Sequence, residues 1–337
     1  MKPSCYIRCH SLACAAYPGS ERRPPGGTRP VLSRHLVRKY GLVFRDVGRM
    51  QHPRQEVGMN LIANFAVLAS RRTIFDLPVC DLGWDDALVF INELASIPVG
   101  QTVVCFVNAH NMLTALHDDE YYRIMSHNLV LPDGIGLNIA SQIAHGAPFP
   151  ANLNGTDFVP AFLTFMEVPR RIGLIGGKRS VVEAAAENFR RHTPWHEFVV
   201  VSDGYFDKVD PTDVIEELER QKVDILIVGM GTPLQEKWVH NNIRSDHARL
   251  VLTVGALFDF VSGAVPRAPR TVRMMRLEWA YRLLQEPTRL WRRYVIGIPV
   301  FLFHVLRYRF RRRERILSHP EEHGSALQPH SDRKKAG

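Results

Sequence analysis

The chain has 337 residues, 45% of them hydrophobic, and a formal net charge of +9, so a sizeable core can be buried and one large or two small domains are expected. The five cysteines (Cys5, Cys9, Cys14, Cys80 and Cys105) match no zinc spacing, which argues against a structural metal site and for a reducing compartment. The positive charge is local: thirteen arginines, no lysine and two acids (Glu278 and Glu286) fall between Arg267 and Arg313, and the remainder is close to neutral, so an anionic surface or ligand is met at one place.

Residues 1–58 are rich in Arg, Pro, Gly and Cys and show little periodicity; they read as a disordered leader or as an over-extended frame whose true start is Met59. Lacking an apolar core of suitable length, the N-terminus is not expected to act as a signal peptide. From about residue 72 short apolar runs alternate with helical stretches. The runs are Thr102–Val107, Asn128–Leu131, Arg171–Ile175, Glu197–Val201, Val223–Val228 and Arg249–Val254, most of them nearly continuous Val, Ile and Leu, as strands covered on both faces require. Helices are expected over Trp84–Ser96, Ala109–Ser126, Asp157–Met166, Ser180–Arg191, Thr212–Gln221 and Pro233–Arg244. Ser180 with Glu183, and Thr232-Pro233 with Gln235, have the spacing of capping boxes. The alternation predicts an α/β domain over 59–270, a Rossmann-like, mainly parallel sheet flanked by helices. A basic, amphipathic, helical appendage is expected over 271–313, with helices at Thr271–Gln285 and from Pro287, and a disordered tail over 314–337. Within the appendage Tyr294–Leu306 is almost wholly apolar, too short to span a bilayer and flanked by arginines on both sides. It reads as an interfacial segment on an anionic membrane, or as a buried helix with solvated basic ends.

Ligands of open parallel sheets bind beyond the carboxyl ends of the strands, so the residues after each run are the candidates. Asp133 lies between Pro132 and Gly134 where a strand ends and a helix begins. Its bland role is a cap or turn residue; its functional role is a general base, kept ionised by the helix dipole. Gly229-Met230-Gly231-Thr232-Pro233 offers backbone N–H groups at a helix start, suited to a phosphate or sugar, or simply a tight turn. Gly176-Gly177-Lys178 fails as a phosphate-binding loop, since Ile172 or Arg171 stands where glycine is needed and Arg179 follows the lysine. The dinucleotide fingerprint fails at Leu234, which argues against NAD. No Asp-x-Asp pair occurs, so no metal is expected at a donor diphosphate and arginines must stabilise the departing phosphate instead. No cofactor is expected. Nucleic acid is disfavoured as a partner because the arginines interleave with a long apolar run rather than a polar groove.

Taken in order, these blocks resemble one family. Phe75-Asp76-Leu77-Pro78-Val79 with Trp84-Asp85-Asp86-Ala87, then Asn108-Ala109, Leu131 to Gly136, and Asn154-Gly155-Thr156-Asp157 are similar in order and spacing to the WecG/TagA/CpsF family of bacterial glycosyltransferases, glycosyltransferase family 26. So are Gly229 to Trp238, Arg267-Ala268-Pro269, Leu277 to Leu283, Glu286-Pro287 and Arg292-Arg293-Tyr294. The resemblance implies an inverting, metal-independent transfer of a sugar, N-acetylmannosamine or another hexose, from a UDP-sugar to a polyprenyl-diphosphate-linked sugar. The product class is a cell-surface polymer or exopolysaccharide. The same resemblance implies Asp133 as the base, and Asn108, Thr156, Asp157, Gly229, Gly231 and Gln235 around the donor. Arg282, Arg289 and Arg292 are implied at the diphosphate, and the appendage is implied to close over the site and dock on the cytoplasmic face of the plasma membrane. A homo-oligomer is left open. Many members carry threonine where this chain has Phe106, which leaves the donor sugar open, with UDP-glucose an alternative.

Overall fold

The computed structural model describes residues 72–269, 271–272, 275 and 277–318, without the side chains of 289 and 312–318; the expected leader and the tail beyond 318 lie outside the described residues. Strands β1 (Arg72–Ile74) and β2 (Leu77–Val79) form an antiparallel hairpin that the periodicity missed, because three residues are too few to show alternation. Then follow α1 (Trp84–Ser96), β3 (Thr102–Val107), α2 (Ala109–His117), α3 (Asp119–Ser126), β4 (Leu129–Pro132), α4 (Ile135–His145) and α5 (Gly155–Phe165). The second half is β5 (Arg171–Gly176), α6 (Arg179–His192), β6 (Glu197–Ser202), α7 (Thr212–Gln221), β7 (Ile225–Gly229), α8 (Leu234–Asn242), β8 (Leu250–Thr253) and α9 (Leu257–Val261). The appendage holds α10 (Glu278–Gln285), α11 (Pro287–Trp291), a π-helical turn (Arg292–Ile296) and α12 (Gly297–Ser318).

Six strands form one parallel sheet in the order β4-β3-β8-β7-β5-β6, the Rossmann-like architecture expected. Its strands are apolar because both faces are covered. Cys105 and Val107 of β3, with Val228 of β7, face a core shared with Met112 of α2, Tyr121 of α3 and Trp238 of α8. Phe106 points the other way and meets Phe158 of α5, ring centres 6.3 Å apart; Phe158 in turn meets Trp84 of α1. Each fully buried Leu or Phe contributes about 1.5–3 kcal/mol of transfer free energy, so these two cores hold the strand ends in place. Cys80 and Cys105 are buried thiols, as expected, and burial pushes Cys80 up to about 12.

Three local expectations are corrected. The helix expected over Ala109–Ser126 breaks at Asp118, whose backbone is extended and whose carboxylate accepts from the Tyr121 N–H at 3.0 Å, starting a new helix. Ser180 with Glu183 is no capping box: α6 begins at Arg179, whose guanidinium takes Glu183 as an i,i+4 partner. Pro233 is the N-cap of α8 rather than its first residue, and Gln235 reaches elsewhere. The apolar run Tyr294–Leu306 buries one side only. Phe301 and Val305 enter the core, and α12 packs on α2 and α4, whereas Phe303 and Phe310 are each 63% exposed. Its helix runs on to Ser318. Among the described residues no helix is long and apolar enough to cross a membrane.

Candidate active site

Strands β3 and β4 end side by side, and their loops build the site's chemical end. The Asp133 N–H donates to the Val107 carbonyl at 2.8 Å, and the Gly134 N–H donates to Asn152 Oδ1 at 2.6 Å. These bonds fix the backbone on both sides of the Asp133 carboxylate. Asp133 does not cap α4: the N-cap is Gly134, which at φ +89° adopts a backbone that disfavours any side chain. The carboxylate accepts a hydrogen bond from Asn108 instead. Asn108 has both halves of its amide in use, since its oxygen also caps α2 by accepting from the His110 and Asn111 N–H groups, each at 3.1 Å.

Burial, more than anything else, pushes Asp133 up to about 6. The Asn108 hydrogen bond and the cations of Arg293 and Arg282 pull it back down, and the Glu278 carboxylate pushes it up. Desolvation thus works against the ionised form that the helix dipole was expected to favour, and Asn108 and the appendage's arginines work for it. His110, on the same loop, is lowered by burial and by Arg293.

The appendage thus reaches the strand ends, but not with the set of arginines expected. Arg282 faces Asp133 and lies 5.0 Å above the Phe260 ring. Arg292 is exposed and stacks over its neighbour Trp291 at 5.5 Å, whereas its neighbour Arg293 acts on Asp133. The Arg289 side chain lies outside the described residues. Arg293, Glu278 and Asn152 were not singled out from sequence.

Thr156 and Asp157 lie on the first turn of α5, half-buried, behind the Asn154 cap. The Asp157 carboxylate accepts from Asn154 at 3.0 Å and forms an ion pair with Arg267. Arg267 in turn comes within 3.7 Å of Glu278. Asp157 therefore ties the appendage to α5, in addition to any contact with donor. Phe106 fills apolar space below Gly155, where a Cβ would stand 3.2 Å from its ring.

The second end of the site lies beyond β5, β7 and β8. Gly229 closes on the β5 loop, its carbonyl accepting from the Gly177 N–H at 3.1 Å, and a Cβ at Gly176 would sit 2.2 Å from that oxygen. The backbone N–H groups after β7 were expected to be free, but those of Met230 and Gly231 are taken. Gln235 Oε1 accepts from Met230 (3.3 Å), Gly231 (3.1 Å) and Gly255 (3.1 Å). Gln235 is only 2% exposed, so its side chain shapes the loops from behind. Among the described residues, no group of three or more acidic, His or Cys side chains is placed to hold a metal ion.

A carboxyl raised to about 6, two cations acting on it and glycine-rich loops at the neighbouring strand ends suit proton removal from a hydroxyl beside a departing anion. Residues 72–315 match the family model described as "Glycosyl transferase WecG/TagA/CpsF family". Similar chains include the N-acetylglucosaminyldiphosphoundecaprenol N-acetyl-beta-D-mannosaminyltransferases of Bacillus subtilis strain 168 and Staphylococcus aureus strain MW2. The first is 31% identical over 207 residues, covering 61% of this chain and 79% of the relative. The second is 27% identical over 215 residues, covering 64% and 80%.

Proposed function

The chain belongs to the WecG/TagA/CpsF glycosyltransferase family, and from that premise we propose that it transfers N-acetylmannosamine from UDP to N-acetylglucosamine carried on undecaprenyl diphosphate. The acceptor and the sugar are those in the names of its relatives. The observation that carries the reading is Asp133, held half-buried by Asn108 with Arg282 and Arg293 facing it.

The acceptor hydroxyl approaches Asp133, which removes its proton as the oxygen attacks the anomeric carbon from the face opposite UDP. An inverted product follows. A base titrating near neutrality is matched to that task, because it is ionised yet still basic. Arg282 and Arg293 serve twice: they hold Asp133 ionised, and they neutralise the departing diphosphate. Arg289 belongs to the same segment and is proposed to join them. Asn108, Thr156, Asp157 and the Gly229–Gly231 loop, with Gln235 behind it, line the donor cleft.

Phe303, Leu306 and Phe310 on the exposed side of α12, with the exposed Arg307, Arg309 and Arg311, support docking on an anionic membrane, where the lipid-linked acceptor resides. The family's lipid substrate favours the cytoplasmic face of the plasma membrane. The reading is tested with purified enzyme, a panel of UDP-sugars and the lipid-linked acceptor, products being identified by mass. UDP-N-acetylmannosamine is the expected donor. Preference for UDP-glucose would shift the reading to exopolysaccharide assembly, with the apolar Phe106 as the first residue to examine. No transfer from any UDP-sugar would overturn it.

A further inference from the structure

Glu236 takes no part in the mechanism above, yet it is among the most buried polar residues described, at 1% exposure. Its Oε1 accepts two hydrogen bonds, from Gln235 Nε2 at 2.7 Å and from Thr232 Oγ1 at 3.0 Å. Its Oε2 is buried without a hydrogen-bond partner. Thr232 Oγ1 also accepts from Asn111 Nδ2 at 3.4 Å, and the same Asn111 amide donates to the Phe106 carbonyl at 3.1 Å. A chain of polar contacts therefore links the ends of β3, β7 and β8 through one carboxyl.

The Gln235 amide can point in two ways, and only one satisfies its neighbours. Three backbone N–H groups need an acceptor, so the oxygen must face Met230, Gly231 and Gly255. The NH2 then needs an acceptor on its other side, which Glu236 supplies. Without that acceptor the buried NH2 is left unpaired, and no orientation of the amide satisfies both the three N–H groups and its own donors.

We propose that Glu236 is a positioning residue for the donor cleft: by locking the Gln235 amide and Thr232, it holds the loops after β7 and β8 in the shape that receives the nucleotide. Burial favours the neutral form of this carboxyl. Burial raises its pKa and outweighs the hydrogen bonds from Gln235 and Thr232, and Cys105 and Tyr121 face it. A neutral carboxyl and a carboxamide have the same shape and both offer an acceptor oxygen.

This inference rests on the donor reading above, and the test separates the two. UDP binding is measured by calorimetry, and steady-state kinetics with UDP-N-acetylmannosamine and the lipid-linked acceptor, for the full chain and the variants E236Q and E236L. E236Q should stay within about threefold of the parent in Kd for UDP, in KM for donor and in kcat, while E236L should weaken UDP and raise donor KM about tenfold or more, the loss expected when a buried amide loses its partner. The acceptor KM should change little. If E236L fails to fold, T232V removes one arm of the same contact and should raise donor KM in the same direction by a smaller factor. Equal loss in E236Q and E236L, or an unchanged donor KM in a folded E236L or T232V, overturns the proposal. A parent chain that does not bind UDP overturns the donor reading itself.

Discussion

Asp133 and Glu236 stand just beyond strands of one sheet, and burial raises the pKa of both carboxyls, yet their surroundings assign them opposite work. Around Glu236 the hydrogen-bond donors, Gln235 and Thr232, are uncharged and come from the α/β domain. Around Asp133 the Asn108 hydrogen bond, with Arg293 and Arg282 brought by the appendage, lowers the pKa against burial. One carboxyl is the proposed strut of the donor loops; the other is the proposed proton acceptor. The difference shows that burial raises both carboxyls, while cations brought from another segment of the chain act on Asp133.

The largest expected effect comes from removing the poised group. Asp133→Asn should fold normally and lose on the order of 10²–10⁴ in kcat, the usual contribution of a general base. Near-normal turnover in single-turnover assays would end the comparison. Next comes removal of the cations. A chain truncated after residue 270 should lose on the order of 100-fold in activity, as when a positioned charge stabiliser is deleted. It should also cease to co-sediment with anionic liposomes; continued sedimentation would show that docking lies elsewhere.

A subtler break leaves the appendage in place. Activity as kcat/KM should fall as pH drops through about 6, because Asp133 must be ionised to accept a proton. Arg293 favours the ionised form, so Arg293→Met should move that inflection to higher pH, reducing activity more at pH 6 than at pH 8. A pH–rate profile whose inflection stays put would remove Arg293 from the site. The smallest effect is on stability. Asp133 is raised from 3.8 to about 6 on folding, so its protonated form favours the native state. That contribution is present below about pH 4 and lost as pH rises through 6, leaving the ionised group a penalty of about 1–2 kcal/mol at pH 7 after allowance for its partial exposure. Asp133→Asn should therefore raise Tm by about 2–5 °C at pH 7, with little gain at pH 4. A lower Tm would mean that the carboxylate is better solvated than its surroundings indicate.

Much of this was legible in sequence because the relevant information is local. Apolar runs followed by glycine, asparagine or aspartate mark strand ends, and Thr102–Val107 and Trp84–Ser96 emerge with the bounds expected. Asp133 could be singled out from its place between proline and glycine at a strand end. The hairpin β1–β2 and the break at Asp118 were not legible, the one too short for periodicity and the other decided by a single side-chain cap. The choice between Arg292 and Arg293 illustrates the limit. Arg282 and Arg293 are eleven residues apart, about three helical turns, which would place them on one face of a continuous helix. The backbone leaves the helical region at Glu286 (φ −131°, ψ 62°), so that phase could not be trusted from spacing.

By itself, then, the amino-acid order determined the parallel sheet, the strand-end location of the site, the arginine-rich appendage and the family, since each rests on residues close together in the chain. Only the tertiary structure decided the charge states. It set Asp133 beside Arg282 and Arg293, folded Gln235 back onto three N–H groups, and enclosed Glu236 behind Gln235 and Thr232. The physical reason is range: secondary structure follows from neighbours in sequence, whereas burial and Coulomb interaction depend on what stands within a few ångströms in space.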